Sequence, residues 1–126
     1  MKEMDTIFWT RIGSIFMLLS VAAGAFGAHA LKARLSEDML TVFETGARYQ
    51  AYHALGILVA AWAGTQFAGR FPAYAAACFT VGILIFSGSL YALSLTGMRK
   101  LGMITPIGGL LFMVGWALLA LAPARS

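Results

Sequence analysis

Apolar residues run through this chain in long blocks that charge interrupts at only a few narrow places. The uncharged stretches cover 12–31, 49–69, 71–98 and 101–124. Each matches or exceeds the ~20 residues that a helix needs to cross a hydrocarbon core of ~30 Å. Backbone groups in lipid must be satisfied within their own segment, so each stretch is predicted to be helical even where glycine is frequent. The predicted helices occupy 7–30, 49–69, 71–96 and 101–122. Their short connections force antiparallel neighbours. The expected fold is therefore all-α, an integral-membrane antiparallel four-helix bundle forming one transmembrane domain over residues 1–126.

The connector between the first two segments has a different pattern. Ser36 is a predicted N-cap, with Glu37 and Asp38 placed where negative charge suits the helix dipole. Leu35, Met39, Phe43 and Ala47 then recur on one face, and Glu37, Thr41, Glu44 and Arg48 on the other. This predicts an amphipathic interfacial helix over 36–48 that runs into the second segment near Gly46. Small residues also recur every fourth position, at Ser20, Gly24 and Ala28 and again at Gly56, Ala60 and Gly64. Such stripes let helix backbones approach, and they are expected to pack the first two segments together. Gly27, Gly88, Gly108 and Gly109 are further candidate packing positions.

Composition supports lipid as the main solvent. Sixty per cent of the residues are hydrophobic and 11% charged, against about 25% charged in soluble domains. The net charge of +4 comes from nine Lys and Arg spread over tails and loops. They read as membrane-surface anchors, and no nucleic-acid partner is expected. The two sides carry Lys2, Arg11, Arg70 and Arg125 against Lys32, Arg34, Arg48, Arg99 and Lys100, which gives no bias under the positive-inside rule. The mixed charge of the connector favours an exported position, with both termini cytoplasmic. Ala28-His29-Ala30 has the form of a signal-cleavage site, but the apolar run from Ile7 to Ala30 is longer than a signal core. Cys78 stands alone, so no internal disulfide forms.

Threading four helices up and down brings polar groups from all of them into one half of the membrane. His29 ends the first segment, and Tyr49, Gln50 and His53 begin the second. Ser87, Ser89 and Tyr91 close the third, and Thr105 opens the fourth. Intramembrane polar side chains usually face the bundle interior, because an unpaired donor in lipid costs several kcal/mol. A hydrogen-bonded cluster is expected, serving as a structural lock or as a pocket for a small molecule or lipid. His29 and His53 on adjacent helices suggest axial haem ligation in principle. Zinc needs three or four ligands and the chain offers only a distant Glu44 beyond them, so no metal and no cofactor is expected. Ser87 and Ser89 lack an intramembrane carboxylate to orient His53, so no enzyme activity is expected. The competing class is a subunit of a small-solute or ion transporter or channel. The opposite half is apolar, so transport would require a homo-oligomer.

Four blocks carry a resemblance. Gly24-Ala-Phe-Gly-Ala-His29-Ala-Leu31 is followed by Phe43-Glu-Thr-Gly46-Ala-Arg-Tyr49-Gln50-Ala-Tyr52-His53-Ala-Leu-Gly56. Then come Phe86-Ser-Gly-Ser-Leu-Tyr91-Ala-Leu93 and Ile104-Thr-Pro-Ile-Gly-Gly109, with Gly115-Trp116 beyond them. In this order the blocks resemble the small four-helix membrane proteins of the YgdD and YwdK type, over almost the whole chain. That family has no established function. The resemblance therefore implies fold and a multi-pass location in the bacterial cytoplasmic membrane, and implies no reaction.

Overall fold

The computed structural model describes residues 1–125, and their regular structure is helical apart from an isolated antiparallel bridge between Phe67 and Ala124. The first helical stretch consists of α1 (Glu3–Val21), a wide π-helical turn (Ala22–Gly27) and α2 (Ala28–Leu31). It begins before the expected residue 7, because Glu3 and Asp5 suit a helix start as well as apolar residues do. Ser36 caps the next helix, its hydroxyl accepting the Met39 amide at 3.2 Å. The connector and second segment, expected over 36–48 and 49–69, form one continuous helix, α3 (Glu37–Gln66). Gly46 does not break it, because its carbonyl and its bare Cα serve contacts to α4 described below.

α4 (Phe71–Thr96) starts with Pro72 in its first turn and stops at Gly97, whose φ of 73° is left-handed backbone that favours glycine. A 3₁₀ turn (Arg99–Met103) leads into α5 (Thr105–Ala120), so the last α-helix begins later than the expected 101. Pro106 in its first turn explains the late start, since proline fits the first turn but not the helix interior.

Neighbours in the chain pair antiparallel. Gly13 of α1 lies against Ala54 and Leu58 of α3, while Gly27 lies against Phe43. Gly46 meets Tyr91 and Gly56 meets Phe79 across α3 and α4. Gly82 meets Phe112 and Gly108 meets Phe86 across α4 and α5. α3 is thus flanked by α1 on one side and α4 on the other, and α5 lies against α4 and reaches α3 through Phe112 and Trp116. Ile57, Ala60, Ala75, Ala76, Phe79, Ile83 and Phe112 make the apolar core where α3, α4 and α5 meet.

Among the described residues, three stretches are long and apolar enough to cross a membrane: Glu3–Leu31, Phe71–Thr96 and Arg99–Ala120. α3, expected to supply a fourth such span, is not one of them. It carries Gln50, His53 and Gln66, and twelve of its residues are buried, more than in any other helix. A helix whose surface meets protein can hold polar groups that a lipid-facing helix cannot.

The packing glycines separate into two kinds. A Cβ on Gly108 would stand 2.5 Å from the Phe86 backbone nitrogen, and one on Gly115 2.5 Å from the Phe79 ring. Gly56 and Gly27 are also closely covered, by Phe79 and Phe43, and Gly109 is in ordinary contact with Phe86. Gly64 is covered by the Met1 side chain. Gly24 and Gly88 have nothing within 4 Å of a Cβ position, contrary to expectation. Gly24 lies inside the π-helical turn, whose extra residue breaks the four-residue stripe of Ser20, Gly24 and Ala28. Gly56 faces α4 and α5, so the two stripes do not pack against each other as expected.

Gly108→Ala is expected to destabilise the protein by about 1–3 kcal/mol, because backbone rather than a flexible side chain must yield. Gly88→Ala is expected to be neutral within about 0.5 kcal/mol. Denaturant unfolding in detergent micelles checks both; equal losses would contradict the close α4–α5 approach.

Candidate functional site

One turn of α3 holds most of the buried polar contacts. Its residues 46 to 50 offer helical carbonyls that already accept one backbone bond and have a lone pair to spare. Ser87 of α4, fully buried, donates to the Gly46 carbonyl at 2.7 Å. Ser20 of α1, also buried, donates to the next carbonyl, Ala47, at 2.7 Å. The bare Cα of Gly46 allows the first of these, since a Cβ there would meet the Tyr91 ring at 3.0 Å.

Gln50 completes the turn and uses both ends of its amide. Its Nε2 donates to the Phe16 carbonyl of α1 at 2.8 Å, and its Oε1 accepts the Tyr91 hydroxyl of α4 at 2.6 Å. Gln50 is 4% exposed, so these bonds are made away from solvent. The Tyr91 ring packs against Phe43 with centroids 5.1 Å apart. Four side-chain bonds therefore tie a single turn of α3 to helices on both of its sides.

His53 points elsewhere. A three-residue step turns its side chain roughly 60° from that of Gln50, enough to direct it to the α5 side of α4. Its Nδ1 lies 2.8 Å from the Tyr49 carbonyl, and the Trp116 indole N–H donates to its Nε2 at 3.1 Å. A carbonyl only accepts and an indole N–H only donates, so these partners fix a neutral imidazole protonated on Nδ1. The ring stacks on Phe112 at 3.5 Å between centroids and 5° between planes. Both ring nitrogens and one ring face are thus occupied.

A third contact joins α4 to the start of α5. Ser89 donates to the Phe86 carbonyl at 2.9 Å, which leaves the Thr105 hydroxyl to donate to Ser89 at 2.5 Å. The expected single cluster is therefore distributed over three helix interfaces. Gln50, Ser87 and Tyr91 come together, His53 lies at the second interface, and Ser89 and Thr105 form the third.

Two expected members do not join. His29 is exposed at the end of the first helical stretch, because the π-helical turn before it and the end of α2 after it leave it beyond the reach of α3's polar turn. Tyr49 lies at the surface, with its ring against Phe86, Tyr52 and, more distantly, His53, whose Nδ1 engages its carbonyl. Ser20, Trp116 and the Phe16 carbonyl belong to the site and were not expected there. Ser20 stood in the small-residue stripe, where its hydroxyl was a usable signal. Trp116 begins no polar pattern, so its indole N–H gave none.

Among the described residues, no group of three or more His, Cys, Asp or Glu comes together to hold a metal ion. No buried side-chain nitrogen or oxygen among them lacks a hydrogen-bond partner. The chemistry of the site is therefore that of neutral donors and acceptors paired across helices.

Residues 23–109 match the family described as "Protein of unknown function (DUF423)". The chain is 44% identical over 112 residues to a UPF0382 membrane protein of Staphylococcus haemolyticus, covering 88% of this chain and 90% of that one. It is 41% identical over 115 residues to the UPF0382 membrane protein YwdK of Bacillus subtilis, covering 90% and 94%. It is 35% identical over 122 residues to the UPF0382 inner membrane protein YgdD of Escherichia coli, covering 97% and 93%. No solved structure matches.

The Gln50–Tyr91 bond is expected to contribute about 0.6 kcal/mol and at most about 1.7 kcal/mol, the range of such bonds in membranes. A double-mutant cycle of Gln50→Leu and Tyr91→Phe, read by unfolding in micelles, measures it. Strict additivity of the two single losses would show that the bond is energetically idle.

Proposed function

On the premise that this chain belongs to the DUF423 family of UPF0382 membrane proteins, whose function is unknown, we propose that it is a non-catalytic, multi-pass membrane scaffold. Its buried polar groups lock the helices together. In this reading α3 crosses the bilayer as the fourth member of an antiparallel bundle, shielded by α1, α4 and α5. Its amphipathic first turns lie at the membrane surface. Met39, Leu40 and Phe43 turn inward there, while Glu37, Asp38, Thr41, Glu44 and Arg48 are exposed.

The observation that carries this reading is that, among the described residues, every buried side-chain nitrogen and oxygen is used in a bond. Most of those bonds run between helices. A catalytic base, nucleophile or ligand donor needs a free lone pair or proton facing its substrate. The imidazole of His53, the most reactive buried group, instead accepts from Trp116 and stacks on Phe112. Ser87 and Ser20 donate to carbonyls of a neighbouring helix. Apolar side chains at these positions would pack against lipid-like surfaces without specifying register, whereas a paired donor and acceptor hold one register only.

Ser20→Ala, Ser87→Ala and His53→Ala are each expected to lower unfolding stability by about 0.6–2 kcal/mol. Losses at Ser20 and His53, which share no partner, are expected to add within about 0.5 kcal/mol. His29→Ala is expected to be silent. Three silent core variants would remove the lock reading. Proteoliposomes carrying wild-type protein are expected to pass ions and small solutes no faster than empty vesicles.

A further inference from the structure

A groove of about 250 Å³ runs between α1 and α4 in the half of the molecule that holds the polar turn. Leu19 and Ala23 belong to one wall, Leu84 and Gly88 to the other, and Gln50 and Tyr91 lie at its inner end. Leu19 and Leu84 are 51% and 60% exposed, so the groove opens sideways. Sideways, for a membrane protein, means toward lipid chains. The space exists because α1 packs mainly on α3, and because Ala23 and Gly88 are small. A Cβ added at Gly88 would meet nothing within 4 Å.

At one end of this groove both walls run on into exposed cations; toward the other end α1 carries the exposed Arg11. Lys32 and Arg34 follow directly on the wall that carries Ala23, and Arg99 and Lys100 follow on the wall that carries Gly88; all four are exposed. Nine residues separate Ala23 from Lys32, and eight separate Gly88 from the end of α4 at Thr96. At the helical rise these spans are roughly 14 Å and 12 Å. Arg99 and Lys100 lie just past the turn at Gly97, so both pairs of cations stand at the same membrane surface, where a phosphate would lie if its acyl chain occupied the groove. The same face also carries Arg48 and the acidic Glu37, Asp38 and Glu44, and it remains net positive.

The geometry points to a phospholipid site: the groove takes one acyl chain of an anionic phospholipid, and Lys32, Arg34, Arg99 and Lys100 hold its phosphate. The apolar walls account for the chain, and the cations at the end of each wall account for the preference in headgroup. A second copy of this chain is the alternative occupant. Packed groove to groove about an axis along the membrane normal, it would bring these four cations against four like charges. The site is separate from the helix-locking bonds, since it needs the space beside Gln50 and Tyr91 and not the bond between them.

The test uses the full chain in lipid nanodiscs, with phosphatidylglycerol or phosphatidylcholine carrying a photoreactive diazirine at mid-chain. Labelling by phosphatidylglycerol is expected to concentrate in residues 16–23 and 83–91 and to exceed that by phosphatidylcholine at least about fivefold. The combined Lys32→Gln, Arg34→Gln, Arg99→Gln and Lys100→Gln variant is expected to bring the two lipids to near equality. Gly88→Leu is expected to cut groove labelling about fivefold while leaving the melting temperature near that of wild type. Ala23→Leu fills the same space from the other wall and is expected to do likewise if Gly88→Leu fails to fold. Equal labelling by the two lipids in wild type overturns the proposal. So does labelling spread evenly over the lipid-facing surface, or unchanged when the groove is filled, or replaced by cross-links between two copies.

Discussion

The arrangement of this protein depends on one turn of helix placed where both of its neighbours can grip it. At residues 46 to 50 of α3, two successive carbonyls and one side-chain amide are bound by Ser87, Ser20, Phe16 and Tyr91. In water these bonds would replace equally good bonds to solvent and contribute little. In lipid the alternative is an unpaired group, which raises the penalty for any register that misaligns them. The constraint is also steric. Gly46 must lack a side chain for Ser87 and Tyr91 to approach together. Register between α1, α3 and α4 is thus set by polar chemistry in one half of the molecule.

The other half is governed by shape. Ile57, Ala60, Ala75, Ala76 and Phe79 pack where α3, α4 and α5 converge, and the close contacts are those of glycine with an aromatic ring. Gly56 and Gly115 both lie against Phe79, and Gly82 lies against Phe112. His53 joins the two regimes. It is aromatic enough to stack on Phe112 and polar enough to take the Trp116 N–H. The division explains why α3 can be the least lipophilic helix and still be central. Its polar residues look inward to partners, and the helices on its flanks carry the apolar surface that lipid demands.

Much of this was legible in the sequence, because lipid imposes strong rules on any chain it dissolves. Long uncharged runs gave the helices around α1, α4 and α5, and Ser36 with Glu37 and Asp38 marked the start of α3. The same logic named Gln50, Ser87, Tyr91, Ser89 and Thr105 as inward-facing polar groups. Rotation about the helix axes was less legible. A count of residues places groups at similar depth, but it does not say which side of α4 each will face, so Gln50 and His53 were read as one cluster. His29 was misplaced for a related reason. The π-helical turn that precedes it has no sequence signature beyond two glycines. The stripe of Ser20, Gly24 and Ala28 assumed an undisturbed α-helix through that turn.

That wide turn has a consequence for the whole first helical stretch. Ala22–Gly27 fits an extra residue into the spiral, so it resets the phase of the helix and keeps the parts on either side facing one neighbour. Before it, Gly13 and Ser20 address α3 deep in the molecule. After it, Gly27 and Ala28 address the same helix near the surface, and Lys32 and Arg34 emerge at the end of the α1 wall. Winding the same residues as ordinary helix would rotate everything beyond the turn by about a quarter of a revolution, whereas deleting one residue from the turn would restore ordinary helix with the facing kept. With that residue present, the deep half and the surface half of the stretch are therefore correct relative to each other only through an irregularity of one residue.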